Sequence, residues 1–136
     1  MKPDKHQLEL IEKGLAVIRE HMIVYFSAEE RVGKTLPSIL IGNQLPWAKY
    51  VLVITKKKAL TDWNKTLEIL HKQGDLAKPF EVTNYHQVHK LKPKANQLII
   101  LDEAHNYISG FPKLPMMWLK VRNVTEGKPI IYLSAT

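Results

Sequence analysis

The sequence predicts an α/β domain: a mainly parallel β-sheet with helices on both faces. Three observations predict it. Short apolar runs recur at 22–26, 50–55, 80–83, 97–102 and 129–134. Amphipathic stretches of helical period separate most of them. The runs hold almost no polar residues until their C-terminal ends, where Ser27, Thr55, Thr83, Asp102 and Ser134 stand. Alternating strands and helices build a parallel sheet, because each helix returns the chain to start the next strand in the same direction. Strands apolar on both sides are those covered on both faces. In an open sheet of this kind ligands bind at the C-terminal strand edge, which is where the polar residues gather.

The elements follow in order. Residues 5–20 place Leu8, Ile11, Leu15 and Ile18 at helical spacing with charges between them, an amphipathic helix. "MIVYF" at 22–26 reads as a strand buried on both faces. Residues 34–44 are a helix, with Pro37 tolerated in its first turn. "YVLVIT" at 50–55 is a second buried strand, and "ALTDWNKTLEILHKQG" a helix closed by Gly74. "FEVT" at 80–83 and "QLIILD" at 97–102 are the third and fourth strands. A helix is expected at 113–122, its start blurred by Pro112 and Pro115, and "PIIYLS" at 129–134 is the fifth strand.

Composition narrows the class. A chain of 136 residues suits one domain with one sizeable core. A hydrophobic share of 45% is that of a globular protein. No cysteine is present, which excludes disulfides and thiolate metal sites. Charges run through "MKPDKHQLELIEKG", where a signal peptide would be apolar, so a cytoplasmic, reducing location is expected. Lys and Arg number 20 against 13 Asp and Glu, a formal charge of +7. That balance favours a polyanionic partner, nucleic acid first, although charge alone leaves open a merely well-solvated surface. Clustering in "TKKK" at 55–58 and "HKLKPK" at 89–94 favours the partner.

Gly33-Lys34-Thr35 follows a buried strand and opens a helix. Gly33 lets backbone N–H groups approach a phosphate, and the helix N-terminus adds unpaired donors. Lys34 can reach the β- and γ-phosphates, and the Thr35 hydroxyl can ligate Mg²⁺. A helix start with a capping turn is the bland alternative. Asp102-Glu103-Ala104-His105 ends the fourth strand. There Asp102 can hold Mg²⁺ through water, and Glu103 can orient or deprotonate an attacking water. Two acids at a helix start would explain "DE" but not its place directly after "LIIL". "SAT", Ser134 to Thr136, ends the fifth strand.

With GKT after strand one, DEAH after strand four and SAT after strand five, the chain resembles the first RecA-like domain of a superfamily 2 helicase or translocase. It looks most like the Snf2-like branch and the compact phage enzymes related to it. The resemblance covers essentially all of residues 1–136 and implies a three-layer RecA-like P-loop fold. It also implies ATP hydrolysis with Mg²⁺, coupled to movement on nucleic acid, DNA in this branch. The nucleotide loop would comprise Ala28, Glu29, Glu30, Arg31, Val32, Gly33, Lys34 and Thr35. Lys34, Asp102, Glu103 and His105 would serve catalysis, and Thr35 and Asp102 the metal. Ser134 and Thr136 would couple to His105, and the fifth strand would lie between the first and the fourth. His6-Gln7 resembles the family's "hQ", whose glutamine reads adenine; an exposed polar helix start explains Gln7 equally well. "VITKKKALTDW" resembles motif Ia, making Thr55 and Lys56 candidates for nucleic-acid contact, with Trp63 a packing residue. "VTNYHQV" resembles a segment near the tracked strand, nominating Tyr85 and His86, with turn packing as the alternative. The likeness to phage enzymes adds a phage-encoded protein in a bacterial host as one origin consistent with the expected intracellular location.

The loop departs from the family's usual "DEMGLGKT": Ala28, Glu30 and Arg31 replace Asp, Met and the first Gly. A side chain at Arg31 requires that its backbone avoid a glycine-only conformation, and weaker ground-state nucleotide binding is expected. The chain also stops at SAT. The expectation is an N-terminal domain whose second RecA-like domain, with its arginine fingers, lies elsewhere. Nucleotide binding is then weak and turnover slight in isolation, since such fingers contribute roughly 10³–10⁵ in rate. Two other classes compete. A non-catalytic nucleic-acid-binding module would have lost Asp102 or Glu103. A small-molecule kinase would leave DEAH and SAT unexplained.

Overall fold

The chain enters the fold through α1 (Lys5–His21). Asp4 caps it: the Gln7 backbone N–H donates to the Asp4 carboxylate at 2.8 Å, and the Asp4 N–H donates to the Gln7 side-chain oxygen at 3.0 Å. Such a reciprocal box satisfies two N–H groups that a helix start otherwise leaves unpaired. Ile11, Gly14 and Ile18 are buried, whereas Leu8, on the same apolar period, is 55% exposed. Met22 ends the helix in a left-handed conformation, φ 65°, with its N–H donating to the Ile18 carbonyl at 3.0 Å. It is the helix stop and not the first strand residue, so β1 is Ile23–Phe26.

The computed structural model describes residues 2–26, 35–92, 94–103 and 125–133. The remaining elements are α2 (Thr35–Gln44), β2 (Tyr50–Thr55), α3 (Leu60–Lys72), β3 (Phe80–Asn84), β4 (Gln97–Asp102) and β5 (Ile130–Leu133). A 3₁₀ turn, Lys57–Ala59, leads into α3, and Gly74, at φ 76°, follows its end as expected. The helix expected at 113–122 lies outside the described residues, as does Ser134 of the fifth strand.

All five strands pair in parallel, in the order β1-β5-β4-β2-β3. The fifth strand does lie between the first and the fourth. Among the described residues β1 stands at one edge of the sheet; Val24 and Phe26 are buried against the helices, but Ile23, on the other face, is 49% exposed, which corrects the expectation of burial on both faces at that position.

Because side chains alternate along a strand, the sheet has two apolar faces. Val51, Val53, Leu98, Ile100, Ile131 and Leu133 join the helices' buried residues in one core, with Trp63, Leu67 and Leu70 from α3. Leu52, Ile54, Ile99, Leu101 and Ile130 form the other, packed against Tyr85 and Val88 from the segment ending and following β3. Among the described residues, all three helices contribute to the first face. Gly14 lets α1 sit close: a Cβ there would stand 2.5 Å from the Ile41 Cδ1 and 2.9 Å from the Phe26 Cζ. Among the described residues no helix is long and apolar enough to cross a membrane.

Candidate functional site

The strand register brings the chemistry-bearing segments to one edge. Phe26 pairs with Leu133, and Leu133 with Asp102. Ile54 pairs with Leu101, and Thr55 with Asn84. The C-terminal residues of all five strands are therefore level. Neighbouring strands lie about 4.8 Å apart, so the ends of β1, β5 and β4 span about 10 Å. Residues 27–34 follow Phe26 directly in the chain, Glu103 follows Asp102, and Ser134 follows Leu133.

Asp102 is gripped from both faces of the sheet. Its side chain shares the helix-covered face with Ile100, two residues earlier. There the Thr55 hydroxyl donates to Asp102 Oδ2 at 2.7 Å and the Trp63 indole N–H donates to the same oxygen at 3.0 Å. From the opposite core, the Tyr85 hydroxyl donates to the Asp102 main-chain carbonyl at 2.8 Å. Hydrogen bonds to an ionised acceptor contribute roughly 1.5–3 kcal/mol each, so this carboxylate is held firmly.

Glu103 turns away from the strand in a left-handed conformation, φ 53°. A non-glycine residue there costs roughly 1–3 kcal/mol and marks a site where the surroundings impose the geometry. Two contacts do so. The Glu103 N–H donates to the Leu133 carbonyl at 2.8 Å, and its Oε2 meets the Lys56 ammonium at 2.8 Å. The acid pair at the end of β4 is thus held by two consecutive residues at the end of β2, Thr55 to Asp102 and Lys56 to Glu103.

Among the described residues no group of three or more acids or histidines could by itself hold a metal ion, so a hard divalent cation would find one carboxylate oxygen here and need further ligands. Mg²⁺ takes oxygen ligands in near-octahedral geometry and commonly uses one or two carboxylates. With both of its side-chain bonds on Oδ2, Asp102 offers Oδ1 as a single ligand. Thr35, the expected hydroxyl ligand, is the first residue of α2 and partly buried. Its carbonyl accepts the Ser38 hydroxyl at 2.7 Å.

Other expected site residues fall differently. Thr55 and Tyr85 are fully buried, with their hydroxyls turned inward onto Asp102. Thr55 and Tyr85, both expected as candidates for nucleic-acid contact, thus present no exposed side chain at this edge. Lys56 and His86 stay at the surface, the Lys56 side chain 41% exposed. Gln7 spends its side-chain oxygen on the cap of α1. Ala28, Glu29, Glu30, Arg31, Val32, Gly33, Lys34, His105, Ser134 and Thr136 lie outside the described residues. Sequence reasoning assigned Trp63 to packing, which its 3% exposure bears out, but missed its bond to Asp102. A signal existed: a buried indole N–H requires an acceptor, and Trp63 lies near the start of the helix that follows the polar end of β2.

Two solved structures carry the same fold. One is the Sulfolobus solfataricus SWI2/SNF2 ATPase core in complex with dsDNA. It matches with a TM-score of 0.78 at 15% identity, covering 100% of this chain and 32% of that one. The other is a nuclease-deletion mutant of the Type ISP restriction-modification enzyme LlaGI in complex with a DNA substrate mimic. It matches with a TM-score of 0.66 at 18% identity, covering 100% of this chain and 18% of that one. No protein-family model matches the chain, and no curated protein matches it in sequence. At these identities the likeness shows the fold alone, an α/β RecA-like domain. The chain spans about a third of the first protein's length and less than a fifth of the second's.

Proposed function

We propose that this chain is the ATP-binding motor domain of a DNA-dependent ATPase of the helicase or translocase type. One observation carries the reading: the level ends of β1, β5 and β4, from which the segments bearing Gly33-Lys34-Thr35, Ser134-Ala135-Thr136 and Asp102-Glu103 continue. A nucleotide seated on the Ala28–Thr35 loop would have its phosphates over the edge where Asp102 stands. Lys34 would bind the β- and γ-phosphates. Thr35 and the Oδ1 of Asp102, the latter directly or through water, would hold Mg²⁺, and the ion would neutralise charge on the transferring phosphoryl group. Glu103 would orient the attacking water and take its proton.

The finer parts of the reading rest on the motifs. Gln7 would read the adenine edge by exchanging its capping bond for one to the base. Ser134 and Thr136 would pass the nucleotide state to His105, and the bond from the Glu103 N–H to Leu133 supports that closeness. DNA would lie along the exposed turn after β2, where Lys56, Lys57 and Lys58 stand, with His86 nearby in sequence order of the sheet edge. A second RecA-like domain would complete the groove and supply arginine fingers. Lys34→Ala and Glu103→Gln should each abolish DNA-stimulated ATP hydrolysis by the full-length protein, and Glu103→Gln should still bind ATP. Turnover surviving either change overturns the reading.

A further inference from the structure

We infer that Trp63 and Thr55 are positioning residues for the metal-binding carboxylate: together they pin Asp102 Oδ2 and so present Oδ1 as a fixed ligand for Mg²⁺ delivered with the nucleotide. The inference rests on the ATPase reading above and adds two residues that the motifs do not place in the metal site.

Three observations carry it. The indole N–H is the only hydrogen-bond donor on a Trp side chain, and the hydroxyl the only one on Thr. Both are spent on one oxygen, from separate elements: Thr55 at the end of β2 and Trp63 in the first turn of α3. Both residues are buried, Thr55 at 0% and Trp63 at 3% exposure, so neither bond is shared with bulk water. The Asp102 carbonyl is held independently by Tyr85, so the main chain under the carboxylate is braced as well.

A carboxylate at an open strand end rotates about its terminal torsion, and binding a cation must stop that rotation. Two donors at 2.7 and 3.0 Å on one oxygen stop it beforehand. They also draw both bonds to Oδ2, which disfavours bidentate coordination and suits the single-oxygen contact Mg²⁺ prefers. Partners that orient a ligating carboxylate typically govern about 10–100-fold in metal affinity or activity. A purely structural role for Trp63 would be met by any acceptor, and a purely structural Thr55 could be replaced by Val with little consequence at the metal.

The test uses the 136-residue chain, MgCl₂ and a non-hydrolysable ATP analogue. Thr55→Val keeps the shape of its side chain and removes the donor; Trp63→Phe keeps an aromatic ring in the core, removes the donor and leaves a small void where the second ring stood. Each should raise the Mg²⁺ concentration at half-saturation about 10-fold, with nucleotide binding in EDTA little changed; the lost bond lowers the thermal midpoint in both, so the Mg²⁺ titration is run well below it. Thr55→Ser, which keeps the hydroxyl, should restore the wild-type value. The three tryptophans give three indole N–H signals in a proton–nitrogen correlation spectrum, and Trp63→Phe identifies the relevant one. In the wild-type chain that signal should move as Mg²⁺ saturates. Wild-type Mg²⁺ dependence in both variants overturns the positioning role and leaves the ATPase reading standing. A Trp63 indole signal indifferent to Mg²⁺ saturation overturns the role even where a variant fails to fold. A wild-type chain whose nucleotide binding ignores Mg²⁺ overturns the reading and the inference together.

Discussion

Met22 stops α1 with φ 65°, a conformation that costs a residue with a Cβ roughly 1–2 kcal/mol and costs glycine almost nothing. Its side chain is 45% exposed, so little packing opposes a replacement. Met22→Gly should therefore raise stability by about 0.5–1 kcal/mol, read as a higher denaturant midpoint at unchanged slope. Glu103 shares the left-handed conformation, yet glycine there would lose the contact with Lys56. Trp63 combines a local and a distant determinant. Its burial was legible from its place on an amphipathic helix; its bond to Asp102 was not, because the acceptor lies 39 positions away.

Two helices and one strand end meet at Gly14. Alanine in a helix interior is favoured over glycine by about 1 kcal/mol, which argues for Gly14→Ala. Against it, the new methyl would stand 2.5 Å from the Ile41 Cδ1 and 2.9 Å from the Phe26 Cζ. Both neighbours are buried, Ile41 at 0% and Phe26 at 5%, so neither has free space to enter. Overpacking a filled core typically costs about 1–3 kcal/mol, which outweighs the propensity gain. Gly14→Ala should lower stability by about 1–2 kcal/mol in equilibrium unfolding. Phe26 also ends β1 directly ahead of the expected phosphate loop, so nucleotide binding should weaken with it; a loss of stability with unchanged nucleotide affinity would separate the two effects.

At the scale of the whole molecule, charge and sheet edge act together. A net charge of +7 attracts a polyanion without sequence preference, and the exposed Lys57 and Lys58 stand on the turn after β2. Each phosphate neutralised contributes about 0.9 to the slope of log affinity against log salt on duplex DNA. Lys57→Ala and Lys58→Ala should each reduce that slope by about 1 in anisotropy titrations, alike for unrelated duplex sequences. An unchanged slope would move the DNA path away from this turn.

Sequence alone determined what depends on near neighbours along the chain. The strand and helix types, the place of Gly74 and Pro37, and the gathering of polar residues at strand ends all follow from local period and backbone chemistry. Tertiary structure alone decided which groups meet. Thr55 and Asp102 are 47 positions apart and touch only because β2 pairs with β4 in a register that makes their ends level. Leu133 reaches the Glu103 N–H only because β5 inserts beside β4. Periodicity tells a residue which side of its own strand it faces. It carries no information about the strand that will lie beside it, and the acid pair is built from that neighbour.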